Sequence, residues 1–132
     1  METSHSRPLT AHRSPLAAYV SLWLPVVLWC GVIFSLSSVP HLRLFKAEWL
    51  DFSVRKTAHM VEYAVLARLL SRAFTGSAFW SWKKIFAWSL ALAILYACSD
   101  EYHQTYVAGR LGTPRDVVFD SLGAWLALGL KP

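Results

Sequence analysis

The sequence is poor in charged residues and lacks several motifs of common enzymes. Charged residues make up 16% of its 132 positions, whereas hydrophobic residues make up 55%. So few polar groups cannot coat a water-soluble domain, and the composition therefore indicates an integral membrane protein. The chain has no serine nucleophile in a glycine elbow and no glycine-rich phosphate loop, so neither of those enzyme classes is indicated.

Cysteine is also scarce. Cys30 and Cys98 lie in apolar runs without metal-type spacing, which predicts buried free thiols. The net charge of +5 would suggest a nucleic-acid partner, but the basic residues flank the apolar segments. That arrangement instead predicts contact with membrane lipids and no nucleic-acid partner, and it leaves the oligomeric state open.

Four apolar segments predict an all-α, four-span transmembrane helical bundle. Residues 1–15 carry Ser, Thr, Pro and Arg and are predicted to form a disordered cytoplasmic tail, followed by one transmembrane domain at 16–132. Residues 16–39 contain no charged side chain and are long enough to cross about 30 Å of hydrocarbon. The other spans are expected at 56–74, at 85–107 and from Pro114 onward.

The residues between the first two predicted spans leave two interpretations open. Leu42, Phe45, Trp49 and Phe52 recur at helical spacing, which is typical of a short amphipathic helix lying in the membrane interface. A loop that carries a few aromatic side chains explains the same residues equally well.

Polar side chains gather on one side of the predicted bundle. In four antiparallel spans, the start of the second, the end of the third and the start of the fourth lie at the same membrane face. Ionisable groups in such a position are costly and usually functional. A polar cluster is therefore predicted near one face, formed by Lys56, His59, Glu62, Asp100, Glu101, His103, Gln104, Arg110, Asp116 and Asp120.

The fourth span begins with a helix-start signal. Thr113 is expected to be the N-cap, with Pro114 at the first helical position and Asp116 as the acid of a capping box. Further along, Gly123 and Ala127 form a small-xxx-small pair that allows another helix to approach closely.

The polar pattern resembles that of the VanZ-like family of small bacterial membrane proteins. The resemblance covers about residues 20–130, nearly the whole chain. Family members often have an acid directly before the lysine of the motif, where this chain has Arg55. The residues that carry the resemblance are Lys56, His59, Tyr63, Ser99, Asp100, Glu101, His103, Gln104, Arg110, Asp116, Asp120 and Gly123.

The resemblance implies a role in the bacterial cell envelope, because the namesake is associated with low-level resistance to the glycopeptide teicoplanin. It also implies a multi-pass protein of the bacterial cytoplasmic membrane. Both termini are expected to be cytoplasmic, since basic residues favour that side of the membrane. The residues expected there are Arg7, Arg13, Arg68, Arg72, Lys83, Lys84 and Lys131.

We interpret the polar cluster as an extracytoplasmic-side pocket that binds an anionic envelope lipid or a lipid-linked cell-wall precursor. Lys56, Arg110 and Arg115 offer donors to phosphate or carboxylate, and Arg110 can donate two parallel hydrogen bonds. The predicted ligand-binding residues are Lys56, His59, Glu62, Tyr63, Gln104, Arg110, Asp116 and Asp120.

An enzyme that acts on a lipid-linked substrate is an alternative interpretation. His103 would be the general base, with Glu101 or Asp100 as the orienting group or the acid. Asp100 and His103 share one face of the third span, whereas Glu101 points away from His103.

Three further interpretations use the same polar residues. Asp100 and His103 could face His59 and Glu62 as metal ligands, but nearby basic groups already neutralise the acids, so we assign no metal and no cofactor. An ion pathway is disfavoured because no second polar layer continues across the membrane. In a structural scaffold, Lys56 would pair with Asp100 or Asp120 merely to orient helices.

Overall fold

A computed structural model describes residues 14–40 and 45–130. Within these ranges the chain forms four α-helices and no strand, which confirms the all-α prediction. The predicted tail at 1–15 lies outside the described residues except for Ser14 and Pro15, which begin the first helix. The helices are α1 (Pro15–Ser37), α2 (Glu48–Ser77), α3 (Trp82–Gln104) and α4 (Pro114–Gly129).

Helix α1 is the most apolar element. The Ser14 hydroxyl accepts a hydrogen bond from the Ala17 amide at 3.2 Å, and Pro15 occupies the first turn, where its missing N–H is harmless. Pro25 lies inside the helix without ending it. Among the described helices, α1 alone has the length and composition typical of a membrane span, with a mean hydropathy of 2.0 over 18 residues.

Helix α2 is longer than predicted. Its first turns include residues 48–55, so this part of the predicted interfacial segment is not a separate element, and Leu42 lies outside the described residues. No glycine or proline separates Trp49 from Lys56, so nothing ends the helix between them. The buried Asp51 carboxylate stabilises the first turns of α2. It lies 3.0 Å from the Arg55 guanidinium and accepts a hydrogen bond from the Phe45 amide at 3.2 Å.

Small residues line the inside of the bundle. The buried alanines include Ala67, Ala73, Ala93, Ala97 and Ala124, so the helices pack closely. The predicted close approach is confirmed at Gly123, where an added Cβ would collide with the backbone carbonyl of Met60 on α2.

Large apolar side chains cover the outside of all four helices. Helix α1 exposes many of them. Both cysteines were predicted to be buried free thiols; both are free, but Cys98 is exposed and Cys30 is only partly buried, so the prediction of burial is wrong for Cys98. The outward apolar residues on the other helices include Val61, Trp88, Leu95, Val118, Leu122, Trp125 and Leu126.

Two arginines connect helices at the end opposite the polar cluster. Arg68 donates to the Leu130 carbonyl at the end of α4 at 2.9 Å, and Arg72 donates to the Ser21 carbonyl of α1 at 3.2 Å. The contact of Arg68 is favourable because the last carbonyls of a helix have no partner within the helix.

Candidate functional site

A basic pocket lies between α2, α4 and the loop at 105–113. Its volume is about 380 Å³. Four cationic side chains line it, and Asp116 is the acid among its lining residues. Below, "the basic pocket" means this cavity with its cations Arg55, Lys56, Arg110 and Arg115.

Lys56 forms an ion pair with Asp116, not with Asp100 or Asp120 as the scaffold interpretation expected. Both side chains are mostly buried, at 19% and 15% exposure, and the ammonium lies 5.5 Å from the centre of the Phe52 ring. The pairing follows from the position of Asp116 in the first turn of α4, which packs against α2.

The start of α4 differs from the predicted capping box because Asp116 takes part in this ion pair. Thr113 is the N-cap residue as predicted, but its side chain makes no capping hydrogen bond. The Asp116 carboxylate contacts Lys56, and its backbone amide donates to the Thr113 carbonyl at 2.9 Å. The expected role of Asp116 as the acid of a capping box is therefore replaced by a contact between α4 and α2.

Beneath this ion pair lies an inner cluster of three side chains from three helices. "The inner cluster" denotes His59 of α2, Glu101 of α3 and Asp120 of α4. One ligand atom from each lies within 4.8 Å of the others, and His59 Nδ1 is 3.6 Å from Asp120 Oδ1. Asp120 is 0% exposed, and neither of its carboxylate oxygens has a hydrogen-bond partner among the described residues.

Glu101 is held in this cluster by hydrogen bonds from its own helix and from the loop. Its Oε2 accepts the Thr113 amide at 2.9 Å, and its Oε1 accepts from the Gln104 side chain at 3.3 Å. The loop packs tightly here, since a Cβ at Gly112 would collide with the Glu101 carbonyl. The Glu101 carboxylate is thus fixed in orientation towards α2 and α4.

Asp100 and His103 face a different neighbour, the end of α1. Asp100 Oδ2 accepts from the Ser37 hydroxyl at 2.8 Å and from Gln104 Nε2 at 3.0 Å. His103 Nε2 lies 3.0 Å from the Ser38 hydroxyl. We call Ser37, Ser38, Asp100 and His103 the α1 network. The three candidate catalytic residues are therefore divided, with Glu101 in the inner cluster and the other two in the α1 network.

Arg110 also binds the end of α1. Its Nε donates to the Val39 carbonyl at 3.2 Å and its Nη2 to the Leu36 carbonyl at 2.9 Å. Burial lowers the pKa of its guanidinium from the ordinary value, and the neighbouring Arg55 acts in the same direction. Because the Arg110 guanidinium already donates hydrogen bonds to carbonyls at the end of α1, replacing Arg110 would disturb α1 as well as the binding of a ligand.

Glu62 and Tyr63 are not among the residues that line the basic pocket. Glu62 lines an apolar groove between α1 and α2, and its backbone carbonyl accepts the Trp29 indole N–H at 2.9 Å. Tyr63 is fully buried, with its ring centre 6.4 Å from that of Tyr96. Its hydroxyl has no hydrogen-bond partner among the described residues.

Sequence reasoning missed three residues that contribute to this region. Ser37 and Ser38 supply hydroxyls to the α1 network, although the sequence pattern showed them only as the end of an apolar span. Arg55 lines the basic pocket, whereas the sequence identified it only as a departure from the family motif. The signal for the serines was their position, since the first span ends on the same side as the polar cluster.

Comparison with known proteins identifies a family. A family model described as VanZ/LLP1 matches residues 10–131, which include all four helices, the basic pocket and the inner cluster. Searches of curated proteins and of solved structures returned no match.

Proposed function

The chain belongs to the VanZ/LLP1 family, as its polar motif predicted, and from this we propose a membrane protein whose basic pocket binds an anionic head group. The ligand would be an envelope lipid or a lipid-linked cell-wall precursor in the bacterial cytoplasmic membrane. The observation that carries the proposal is the gathering of four cations around a cavity of about 380 Å³.

The charges around the basic pocket support an anionic ligand. Arg55 pairs with Asp51 and Lys56 pairs with Asp116, so two acids compensate two of the four cations. Arg110 binds only uncharged carbonyls among the described residues. A phosphate or carboxylate would supply the missing negative charge, and guanidinium groups match both geometrically.

Arg115 is the residue best suited to test this proposal. Its side chain is exposed, lines the basic pocket, and makes no hydrogen bond or ion pair with the part of the chain that the structure describes. Replacing it should therefore leave folding intact, which cannot be expected of Arg110.

We expect Arg115→Gln to weaken binding of a short-chain phosphatidylglycerol about tenfold, because a charge-assisted hydrogen bond contributes roughly 1.5–3 kcal/mol. Native mass spectrometry of the detergent-solubilised chain measures the affinity. Short-chain phosphatidylcholine, which has no net charge, is the control ligand. Lys84→Gln removes the same charge at the opposite end of the bundle and should keep wild-type affinity. Equal affinities for the two variants would contradict the proposal.

We further propose that all four helices cross the membrane. The exposed apolar side chains on every helix would face lipid, while the small buried residues would form the helix contacts. Helices α2, α3 and α4 carry charged residues at the pocket end, and α2 and α3 carry further basic residues at the opposite end. These residues lower the hydropathy of the three helices without removing their apolar outer faces.

This topology predicts the location of each connection. Both termini and the turn at 78–81 should be cytoplasmic, because basic residues cluster there. Reporter fusions at both termini and in this turn should therefore score cytoplasmic. A fusion at the exposed Gly109, in the loop beside the basic pocket, should score extracytoplasmic. A cytoplasmic score at Gly109 would overturn both the topology and the envelope-facing pocket.

A further inference from the structure

We propose that the inner cluster binds a divalent transition-metal ion at the floor of the basic pocket. His59, Glu101 and Asp120 come from three different helices, yet their ligand atoms lie within 4.8 Å of one another. This site goes beyond anion binding, and the sequence did not predict it, because the spacing suggested Asp100 and His103 as the partners of His59.

The distances suit coordination with small adjustments. Ligand atoms bonded to one ion at about 2.0–2.2 Å lie about 3.4 Å apart in tetrahedral geometry. His59 Nδ1 and Asp120 Oδ1 are 3.6 Å apart, close to that separation. The bundle thus already holds one pair of ligand atoms at a coordinating distance.

Asp120 provides an independent observation. Its side chain is completely buried, and both carboxylate oxygens lack a hydrogen-bond partner among the described residues. Lys56, the cation that the sequence suggested as its partner, is paired with Asp116 instead. A carboxylate without a hydrogen-bond partner is costly at such a depth, and its neighbour His59, 3.6 Å away, is charged only when protonated. Buried charges are ordinarily paired or bound to metal.

The charges and the surrounding hydrogen bonds also favour an ion. Two carboxylates and a neutral imidazole would balance a divalent cation. Glu101 already has the hydrogen bonds that orient a metal ligand, from the Thr113 amide and the Gln104 side chain. A mixed set of one imidazole and two carboxylates suits zinc or manganese better than calcium or magnesium, which prefer oxygen ligands alone.

Three protein ligands leave at least one coordination position open. His59 also lines the basic pocket, so we expect this position to be reached from the cavity. Metal sites with an open position are the reactive type, whereas structural zinc sites are closed by four protein ligands.

The test uses the full chain in detergent, stripped with a chelator and titrated with Zn²⁺ or Mn²⁺ in separate experiments, with Mg²⁺ as the comparison. Isothermal titration calorimetry should show about one equivalent of tightly bound ion for the wild type. Elemental analysis after desalting should confirm that stoichiometry, and the melting temperature should rise with the metal. His59→Gln and Asp120→Asn should each weaken binding more than tenfold.

Two matched variants control for buried charge and for other histidines. Asp100→Asn removes the charge of a buried carboxylate that belongs to the α1 network and not to the inner cluster. His103→Gln replaces a histidine of the α1 network. Both variants should keep wild-type metal affinity. If Asp120→Asn does not fold, His59→Gln decides the outcome, since His59 is only partly buried. No bound ion in the wild type, or unchanged affinity in folded His59→Gln, would overturn the proposal. Since no lipid is added, the result is independent of anion binding.

Discussion

Replacing Lys56 with methionine is expected to lower the free energy of unfolding by about 3–5 kcal/mol, because Asp116 then loses its partner in a mostly buried position. The first turn of α4 offsets a small part of this loss, since a helix start stabilises an acid by roughly 0.3–1 kcal/mol. Chemical unfolding of the purified chain in detergent, followed by circular dichroism, measures the change.

A double-mutant cycle identifies the partner of Lys56. Adding Asp116→Asn to Lys56→Met should recover part of the loss, with a coupling energy of roughly 0.5–3 kcal/mol. Asp100→Asn in the same background should recover none of it, because Asp100 bonds to Ser37 and Gln104. Additive losses for Lys56→Met and Asp116→Asn would show that the ion pair does not stabilise the bundle.

The pairing of Lys56 illustrates what helical spacing can and cannot predict. Spacing placed Lys56, Asp100, Asp116 and Asp120 in one polar layer. In a bundle of antiparallel helices, the start of α2, the end of α3 and the start of α4 lie on the same side. Spacing could not choose among the three acids, since that choice depends on how each helix is rotated and how far it slides along α2. Those quantities come from packing, here from the contact of Gly123 with Met60.

Adjacent residues on α3 show the same limit. Asp100 and Glu101 are consecutive, so helical geometry turns their side chains about 100° apart. In the structure Asp100 contacts the Ser37 hydroxyl of α1, whereas Glu101 belongs to the inner cluster. The sequence predicted the divergence of Glu101 from His103 but not the destination of either acid, because the hydroxyls at the end of α1 looked like part of an apolar span.

The basic pocket and the inner cluster together form two layers of opposite charge. Four cations line the cavity together with the ion pair of Lys56 and Asp116, the inner cluster holds two carboxylates, and His59 belongs to both sets. This order suits an anion in the cavity above a cation at its floor. It also predicts that the variants separate: Arg115→Gln should weaken anion binding, and His59→Gln should weaken metal binding.

Gly123→Ala should lower the free energy of unfolding by about 1–3 kcal/mol, although the same substitution in an open helix position is stabilising. The added Cβ would collide with the backbone carbonyl of Met60, which cannot move aside as a flexible side chain would. Helices α2 and α4 would have to separate, and this would shift His59 relative to Asp120. We therefore expect weaker metal binding in the same variant.

Gly31→Ala is the matched control, because an added Cβ there meets nothing within 4 Å. Gly31 lies in the middle of α1, so alanine should raise the free energy of unfolding by roughly 0.5–1 kcal/mol through its higher helix propensity. The two identical substitutions should thus change stability in opposite directions in one unfolding assay. If Gly123→Ala is as stable as Gly31→Ala, the close approach of α4 to Met60 does not hold the cluster together.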